Sequence, residues 1–112
     1  EIDIEALGRD CSIQLNHYGA GMGGHEFVMT PSQLGFNPCE GYHNYGFVWR
    51  RVGIDYYVDG RMVHTTTTQI PTRPGRIMAN IWSGTPSVFG WLGPYIPGRV
   101  EAGYDYIRFA PL

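Results

Sequence analysis

Residues 54–65 read Ile54-Asp-Tyr-Tyr-Val58, Asp59-Gly60, Arg61-Met-Val-His-Thr65, and this stretch decides the fold class. Two runs rich in β-branched and aromatic residues, which favour strands, flank an Asp-Gly dipeptide. Asp-Gly supplies the positive φ angles that a two-residue hairpin turn requires. The stretch therefore predicts two antiparallel strands, at residues 54–58 and 61–65, joined by a tight turn.

Short segments of the same β type continue along the chain. Sixteen Gly and eight Pro separate them at short intervals, and no helical period of 3.6 runs through them. Further strands are predicted at residues 1–7, 12–18, 25–30, 42–50, 76–82 and 101–109. Such spacing is typical of a sandwich, so we predict an all-β fold of antiparallel sheets. No composition shift marks a linker, and residues 1–112 are predicted to form a single domain.

Composition excludes two classes of partner. The chain has 112 residues, a net charge of −2 and no lysine. Without a basic run it cannot neutralise a phosphate backbone, so nucleic acid is not a predicted partner. No apolar stretch reaches the roughly 20 residues that span a bilayer, so no membrane partner is predicted. Three Trp, eight Tyr and five Phe instead predict a packed globular core.

The first five residues carry an unusual pattern of charge. Glu1, Asp3 and Glu5 alternate with Ile2 and Ile4. The period of two in a strand sends the three acids to one face and both isoleucines to the other. Like charges on one strand face repel each other and destabilise the strand. A functional reason is therefore expected for this arrangement.

Glycoside hydrolysis supplies such a reason, because it uses two carboxyl groups about 5–5.5 Å apart as nucleophile and proton donor when configuration is retained. The Cα atoms of Glu1 and Glu5 are expected about 13 Å apart at about 3.3 Å per residue, a gap that two long side chains can close. Asp3 lies between them and can share a proton with either. Two other interpretations stay open, a solvated acidic edge strand and a carboxylate strip that binds Ca²⁺.

The cysteines and histidines predict less. Cys11 and Cys39 could form one disulfide or remain free thiols, and spacing alone leaves both open. His25 and His64 have no second ligand at a zinc-type spacing, so no zinc site is predicted.

The run Glu1-Ile-Asp-Ile-Glu5, followed by Leu7-Gly8, resembles the E-x-D-x-E signature of glycoside hydrolase family 16, in its lichenase (endo-1,3-1,4-β-glucanase) type. Segments similar to the same enzymes cover nearly all of the chain. They are Asn16-His17-Tyr18, Gly23-Gly24-His25-Glu26, Gly41-Tyr42-His43, Tyr57-Val58-Asp59-Gly60, Met78-Ala79-Asn80-Ile81-Trp82, Trp91-Leu92-Gly93 and Tyr104-Asp105-Tyr106.

This resemblance implies a concanavalin A-like jelly roll of two packed antiparallel sheets, with an open cleft for a polysaccharide on the concave sheet. It implies that Glu1 is the nucleophile, Asp3 an assisting acid and Glu5 the general acid/base. Residues implied to contact sugar are Asn16, Tyr18, Glu26, Asn80 and Trp82. Asp105 matches a position associated with a structural Ca²⁺, and no cofactor is implied for catalysis.

The uninterrupted E-x-D-x-E favours mixed-linkage β-1,3-1,4-glucan as the substrate of a secreted enzyme. The alternatives left open are a xyloglucan-type transglycosylase, a depolymerase of a bacterial exopolysaccharide, and a lectin-like binding module or inactive fragment. The part of such enzymes that precedes the catalytic strand has no counterpart in these 112 residues. We therefore expect a missing N-terminal half, or a second chain, to complete the sandwich.

Overall fold

Two antiparallel sheets form the framework of the chain, for which a computed structural model describes residues 1–19, 21, 24 and 26–112. The chain divides into two compact units, Glu1–Gly75 and Arg76–Leu112. Strands of the first sheet are β1 (Ile2–Leu7), β2 (Ser12–His17) and β3 (Phe27–Met29). Strands of the second sheet are β4 (Tyr45–Arg50), β5 (Gly53–Val58) and β6 (Arg61–Thr66). Both sheets belong to the first unit, and each orders its strands as they occur along the chain.

The predicted hairpin is confirmed in β5 and β6. Asp59 and Gly60 form the turn with φ angles of 48° and 77°. The ladder pairs Val58 with Arg61 and continues to Ile54 opposite Thr66, with a bulge after Tyr56. The turn chemistry that the sequence displays therefore sets the register of this pair.

The core lies between the inner faces of the two sheets. Its buried residues come from β2, β3 and β5 and from the short helix α1 (Pro31–Leu34), and they are Ile13, Leu15, Met29, Leu34, Ile54, Tyr56 and Val58. Ile2 and Ile4 pack against this cluster from β1, as the alternation predicted. Phe27 of β3 stacks on His64 of β6 with ring centroids 4.1 Å apart, which joins the two sheets directly.

Helix α1 lies between the strands predicted at residues 25–30 and 42–50, where no helix was predicted. Thr30 begins it, and the Gln33 side chain accepts a hydrogen bond from the Thr30 backbone N–H at 2.9 Å. This Thr-x-x-Gln pattern is a capping box, a start signal that is readable in the sequence.

Cys11 and Cys39 form a disulfide, which resolves the pairing that the sequence left open. The bridge connects the β1–β2 turn to the segment after α1, across a sequence separation of 28 residues. Closing a loop of this length restricts the unfolded chain and stabilises the fold by about 3.5 kcal/mol in the chain-entropy account.

Two predicted strands are wrong. Residues 76–82 and 101–109, all of which the structure describes, form no strand. The second unit contains a 3-10 helix (Pro86–Val88) and helix α2 (Phe89–Leu92), between the two predicted strands, where no helix was predicted. A strand needs a neighbouring strand with which it forms a ladder of backbone hydrogen bonds, and within the described residues these two segments take part in no ladder.

Other boundaries differ by a few residues. The strand predicted at 25–30 spans Phe27–Met29, and the one predicted at 42–50 spans Tyr45–Arg50. His25, which was considered and rejected as a zinc ligand, lies outside the described residues. No helix within the described part of the chain is long and apolar enough to span a membrane.

Candidate active site

The acidic strand β1 presents Glu1, Asp3 and Glu5 away from the core, on the outer face of the first sheet. In the register with β2, Asp3 lies opposite Asn16 and Glu5 opposite Gln14. Residues directly opposite each other in an antiparallel pair share a face. The backbone N–H of Tyr18 donates to the carbonyl of Glu1 at 2.9 Å, which extends the pairing beyond the strand ends. The outer face therefore combines three carboxyl groups with two amide side chains.

Asp3 is the carboxyl whose protonation the site alters most. Burial, followed by the negative charges of Glu1 and Glu5, raises the pKa of Asp3 to about 6, and a side-chain hydrogen bond with Glu1 contributes in the same direction. A carboxyl with this pKa holds a proton over much of the mildly acidic range. Asp3 can therefore donate a hydrogen bond to the carboxylate of Glu1.

Glu5 is also shifted towards its protonated form. Burial is the largest cause that raises the pKa of the Glu5 carboxyl, a hydrogen bond from Gln14 opposes it, and the charges of Glu1 and Glu26 raise it further. A general acid must carry its proton at the working pH. The environment of Glu5 favours that state.

Gln14 is a site residue that the sequence analysis missed. Its side chain is buried, and its Nε2 donates to Glu5 Oε2 at 3.0 Å. This bond fixes one carboxyl oxygen of Glu5 and leaves the other for a proton. The signal was available, because Gln14 alternates with Ile13 and Leu15 and so faces the same side as the acids.

Asn16 is buried, and both ends of its side-chain amide are bonded within the chain. Its Nδ2 donates to the Tyr18 hydroxyl at 3.0 Å, and its Oδ1 accepts from the His17 backbone N–H at 2.9 Å. The backbone of Gly24 lies against this amide, so that a Cβ atom at Gly24 would come within 2.6 Å of Asn16 Oδ1. Asn16 thus orients Tyr18, and its contact with sugar stays a prediction.

Tyr18 and Glu26 complete the group of predicted residues that the first unit brings together. Tyr18 is 38% exposed, so part of its ring is available to a ligand. Glu26 is exposed, and its charge raises the pKa of Glu5, which places it within electrostatic reach of the acids. Of the eight residues predicted for catalysis and sugar binding, six belong to this face.

Asn80 and Trp82, the other two, belong to the second unit. The Tyr104 hydroxyl donates to the backbone carbonyl of Asn80 at 2.9 Å. Trp82 is 54% exposed and meets Trp91 edge to face, with ring centroids 5.7 Å apart. An exposed indole held by a second aromatic ring suits sugar stacking. The predicted sugar contacts of both residues stay predictions.

The predicted Ca²⁺ ligand Asp105 also lies in the second unit, where it is exposed. Ca²⁺ takes six to eight oxygen ligands. Within the described residues no group of three or more His, Cys, Asp and Glu is placed to hold a metal ion. Ca²⁺ binding at Asp105 stays a prediction, and the ion enters none of the steps proposed below.

Comparisons with known proteins identify similar chains. A family model described as glycosyl hydrolases family 16 matches residues 1–96. A beta-glucanase of Bacillus subtilis (strain 168) is 47% identical over 111 residues, which cover 97% of this chain and 44% of that protein. A beta-glucanase of Paenibacillus macerans is 46% identical over 111 residues, covering 97% of this chain and 45% of that protein.

Solved structures show the same likeness. A Bacillus licheniformis beta-glucanase matches with a TM-score of 0.76 and 47% identity, over 84% of this chain and 42% of that chain. A prokaryotic β-1,3-1,4-glucanase (lichenase) derived from a mouse hindgut metagenome matches with a TM-score of 0.75 and 41% identity, over the same shares. The predicted all-β jelly-roll class is confirmed. The chain spans less than half the length of each of these relatives.

Proposed function

The chain belongs to glycosyl hydrolase family 16, and we propose that it carries the catalytic strand of a retaining endo-β-glucanase that cleaves β-1,4 bonds in mixed-linkage β-1,3-1,4-glucan. The observation that carries this proposal is the outer face of β1, where Glu1, Asp3 and Glu5 stand together and the pKa of Asp3 is raised to about 6. The names of the beta-glucanase relatives support the substrate class.

In the first step, Glu5 protonates the departing glycosidic oxygen while the carboxylate of Glu1 attacks the anomeric carbon. The bond to the leaving sugar breaks, and a glycosyl ester forms on Glu1. Asp3 in its protonated form donates a hydrogen bond to Glu1 and holds it in line for attack. Retention requires the two glutamate carboxyl groups to approach within about 5.5 Å, so both side chains must lean over Asp3.

In the second step, Glu5 has lost its proton and accepts one from water, which attacks the anomeric carbon and releases Glu1. Gln14 holds Glu5 through both steps, because its bond to Oε2 at 3.0 Å leaves Oε1 to exchange the proton. Configuration at the anomeric carbon is retained after two inversions.

Sugar rings are proposed to bind at the predicted contact residues of each unit. Tyr18 and Trp82 offer exposed aromatic surface for pyranose rings, and Glu26, Asn80 and Asn16 offer hydrogen bonds to hydroxyl groups. The whole enzyme is proposed to be secreted. The Cys11–Cys39 disulfide supports this, because disulfides persist in oxidising compartments.

The remainder of the family fold is proposed to complete the two sheets, on the same polypeptide or on a second chain. The chain covers 44% of its Bacillus subtilis relative. Ile77, Met78 and Ile81 of the second unit are all more than half exposed, an exposure that further strands of a sandwich would reduce.

Glu1→Gln and Glu5→Gln test the proposal on lichenan. Reducing-end release is expected to fall by about 10²–10⁴-fold in Glu5→Gln, the range for loss of a general acid, and to be abolished in Glu1→Gln. Glu40→Gln is the matched control, because Glu40 is exposed and accepts a hydrogen bond from Asn37 of its own loop. NMR of the first products should show the β-anomer.

Binding separates the alternatives. Both site variants should still bind lichenan in an affinity gel, which shows that the cleft is intact. Binding without hydrolysis by the unsubstituted protein would identify a lectin-like module instead. Suppression of hydrolysis by added oligosaccharide acceptors would identify a transglycosylase.

A further inference from the structure

Tyr56 connects the two sheets at a single hydrogen bond. It lies on β5 with only 1% of its surface exposed, and its hydroxyl donates to the backbone carbonyl of Asn16 on β2 at 2.7 Å. A buried carbonyl without a partner destabilises a fold by about 1–3 kcal/mol. The phenol therefore anchors β2 near its C-terminal end from inside the sandwich.

The anchored residue is the one that organises the outer face. Asn16 lies opposite Asp3 in the ladder, and its side chain donates to the Tyr18 hydroxyl at 3.0 Å. One continuous path of hydrogen bonds thus leads from Tyr56 in the core, through Asn16, to Tyr18 on the cleft face. A shift of Asn16 would displace both its neighbour Tyr18 and the strand partner Asp3.

The position of the Tyr56 ring is itself fixed. Phe47 of β4 packs edge to face on it at 6.3 Å, and the His64 ring of β6 lies 6.0 Å away. Burial, with a further contribution from the charge of Asp3, raises the pKa of the phenol, so the hydroxyl keeps its proton. Tyr56 is therefore a permanent donor within electrostatic reach of the acidic face.

From these contacts we infer that Tyr56 is a positioning residue of the glucan cleft, which holds Asn16, and through it Tyr18 and Asp3, in the geometry that hydrolysis needs. The inference rests on the proposed hydrolase function. Tyr56 itself touches no sugar, because it lies on the core side of the sheet.

Tyr56→Phe removes the hydroxyl and keeps the ring, and Tyr57→Phe is the matched control. Tyr57 is the next residue on β5, points to the opposite face and is only partly buried. Tyr56→Phe is expected to raise KM and lower kcat, with a fall of about tenfold in kcat/KM on lichenan, because small displacements of positioned groups have large effects. Tyr57→Phe should stay within about twofold of the unsubstituted protein.

The split between KM and kcat separates positioning from a merely structural role. Partial unfolding would lower the apparent kcat and leave KM unchanged, whereas displaced Asn16 and Tyr18 would raise KM. If Tyr56→Phe shows only a lowered Tm, with KM and kcat equal to those of Tyr57→Phe, the inference is overturned.

A second measurement needs neither hydrolysis nor the Tyr56→Phe variant. Tyr56 is influenced by the charge of Asp3 and lies 6.0 Å from the His64 ring, so the NMR shift of its Cζ carbon should follow more than one titration in the unsubstituted protein. Asp3→Asn should remove the transition near pH 6 from the Tyr56 curve and leave the His64 ring-carbon midpoint in place.

The NMR titration tests the coupling of Tyr56 to the acidic face, and the hydrolysis assay tests the hydrolase function. An unchanged Tyr56 curve in Asp3→Asn would overturn the coupling between Tyr56 and the acidic face. Absence of hydrolysis by the unsubstituted protein, with the Tyr56 curve behaving as expected, would instead remove the hydrolase proposal and leave the coupling intact.

Discussion

The β5–β6 hairpin and residues 76–82 have similar strand-type sequences, yet only the hairpin forms strands. The hairpin has its partner two residues away, because Asp59-Gly60 reverses the chain at once. Residues 76–82 have no such turn beside them and would need a partner distant in sequence. Residue composition thus identifies a segment that is able to form a strand. Whether the strand forms depends on a partner, which is supplied either across a neighbouring turn or by a segment distant in sequence.

The same contrast extends to the two units. Ile54 is fully buried in the first, whereas Ile77 of the second is 62% exposed. Stability should therefore depend on the first unit far more than on the second. The following four substitutions test this contrast.

The largest effect is expected from Ile54→Ala. Removing a fully buried isoleucine side chain leaves a cavity and should lower the free energy of unfolding by about 4 kcal/mol. Ile77→Ala, the matched control, should change it by less than about 0.5 kcal/mol. Urea unfolding followed by tryptophan fluorescence measures both changes. Equal effects of the two substitutions would show that the second unit contributes as much to stability as the core of the first.

The disulfide should come next. Replacing Cys11 and Cys39 together by serine is expected to lower the free energy of unfolding by about 3.5 kcal/mol, because the unfolded chain regains the freedom of the closed loop. Thermal unfolding of the unsubstituted protein with and without a reductant should show the same loss. Insensitivity of Tm to reductant would contradict the expectation.

Gly60→Val tests the hairpin turn. Gly60 has a φ of 77°, a left-handed conformation that β-branched residues disfavour by about 1–2 kcal/mol. Gly98→Val is the control, since Gly98 has open space around it and no positive φ. A drop in Tm is expected for Gly60→Val alone, and a similar drop for both would show that the turn is not what stabilises the hairpin.

Asp3→Asn should have the smallest effect on stability, and at pH 7 it should increase the free energy of unfolding. The folded state raises the pKa of Asp3 from 3.8 to about 6, so between these values the folded protein binds more protons than the unfolded chain. Stability from this group is therefore fully present below about pH 3.8 and is lost as the pH rises through about 6. At pH 7 Asp3→Asn should be more stable than the unsubstituted protein by about 1 kcal/mol, after allowance for solvent screening. Tm measured from pH 4 to pH 7 checks this, and parallel curves for the two proteins would contradict it.

The sequence predicted the first unit well because its signals are local. Period-two alternation placed Glu1, Asp3 and Glu5 on one face and the isoleucines in the core, and the Asp-Gly dipeptide predicted a turn. The disulfide could not be predicted, because pairing depends on the distance between two segments 28 residues apart. The prediction of strands at 76–82 and 101–109 was wrong for the same reason. A ladder needs a partner strand, and no local sequence pattern shows whether a segment has one.

The site followed the same division. The three acids were predictable from alternation and chemistry, whereas the bond from Gln14 to Glu5 depends on the register of two strands. Asn16 was predicted from the resemblance as a sugar contact, and the structure adds its bonds to Tyr18 and His17. These hydrogen bonds form because the Asn16 side chain is buried, and its burial cannot be read from the sequence.

The register between β1 and β2 has a consequence for how reliably the molecule assembles. A slip of one residue would turn Glu1, Asp3 and Glu5 inward and leave Ile2 and Ile4 in water. Such a misaligned ladder would bury three carboxyl groups in the hydrophobic core and would be unstable. Pairing of β1 with β2 in the wrong register should therefore lower the yield of folded protein. It should not produce molecules that are folded but inactive.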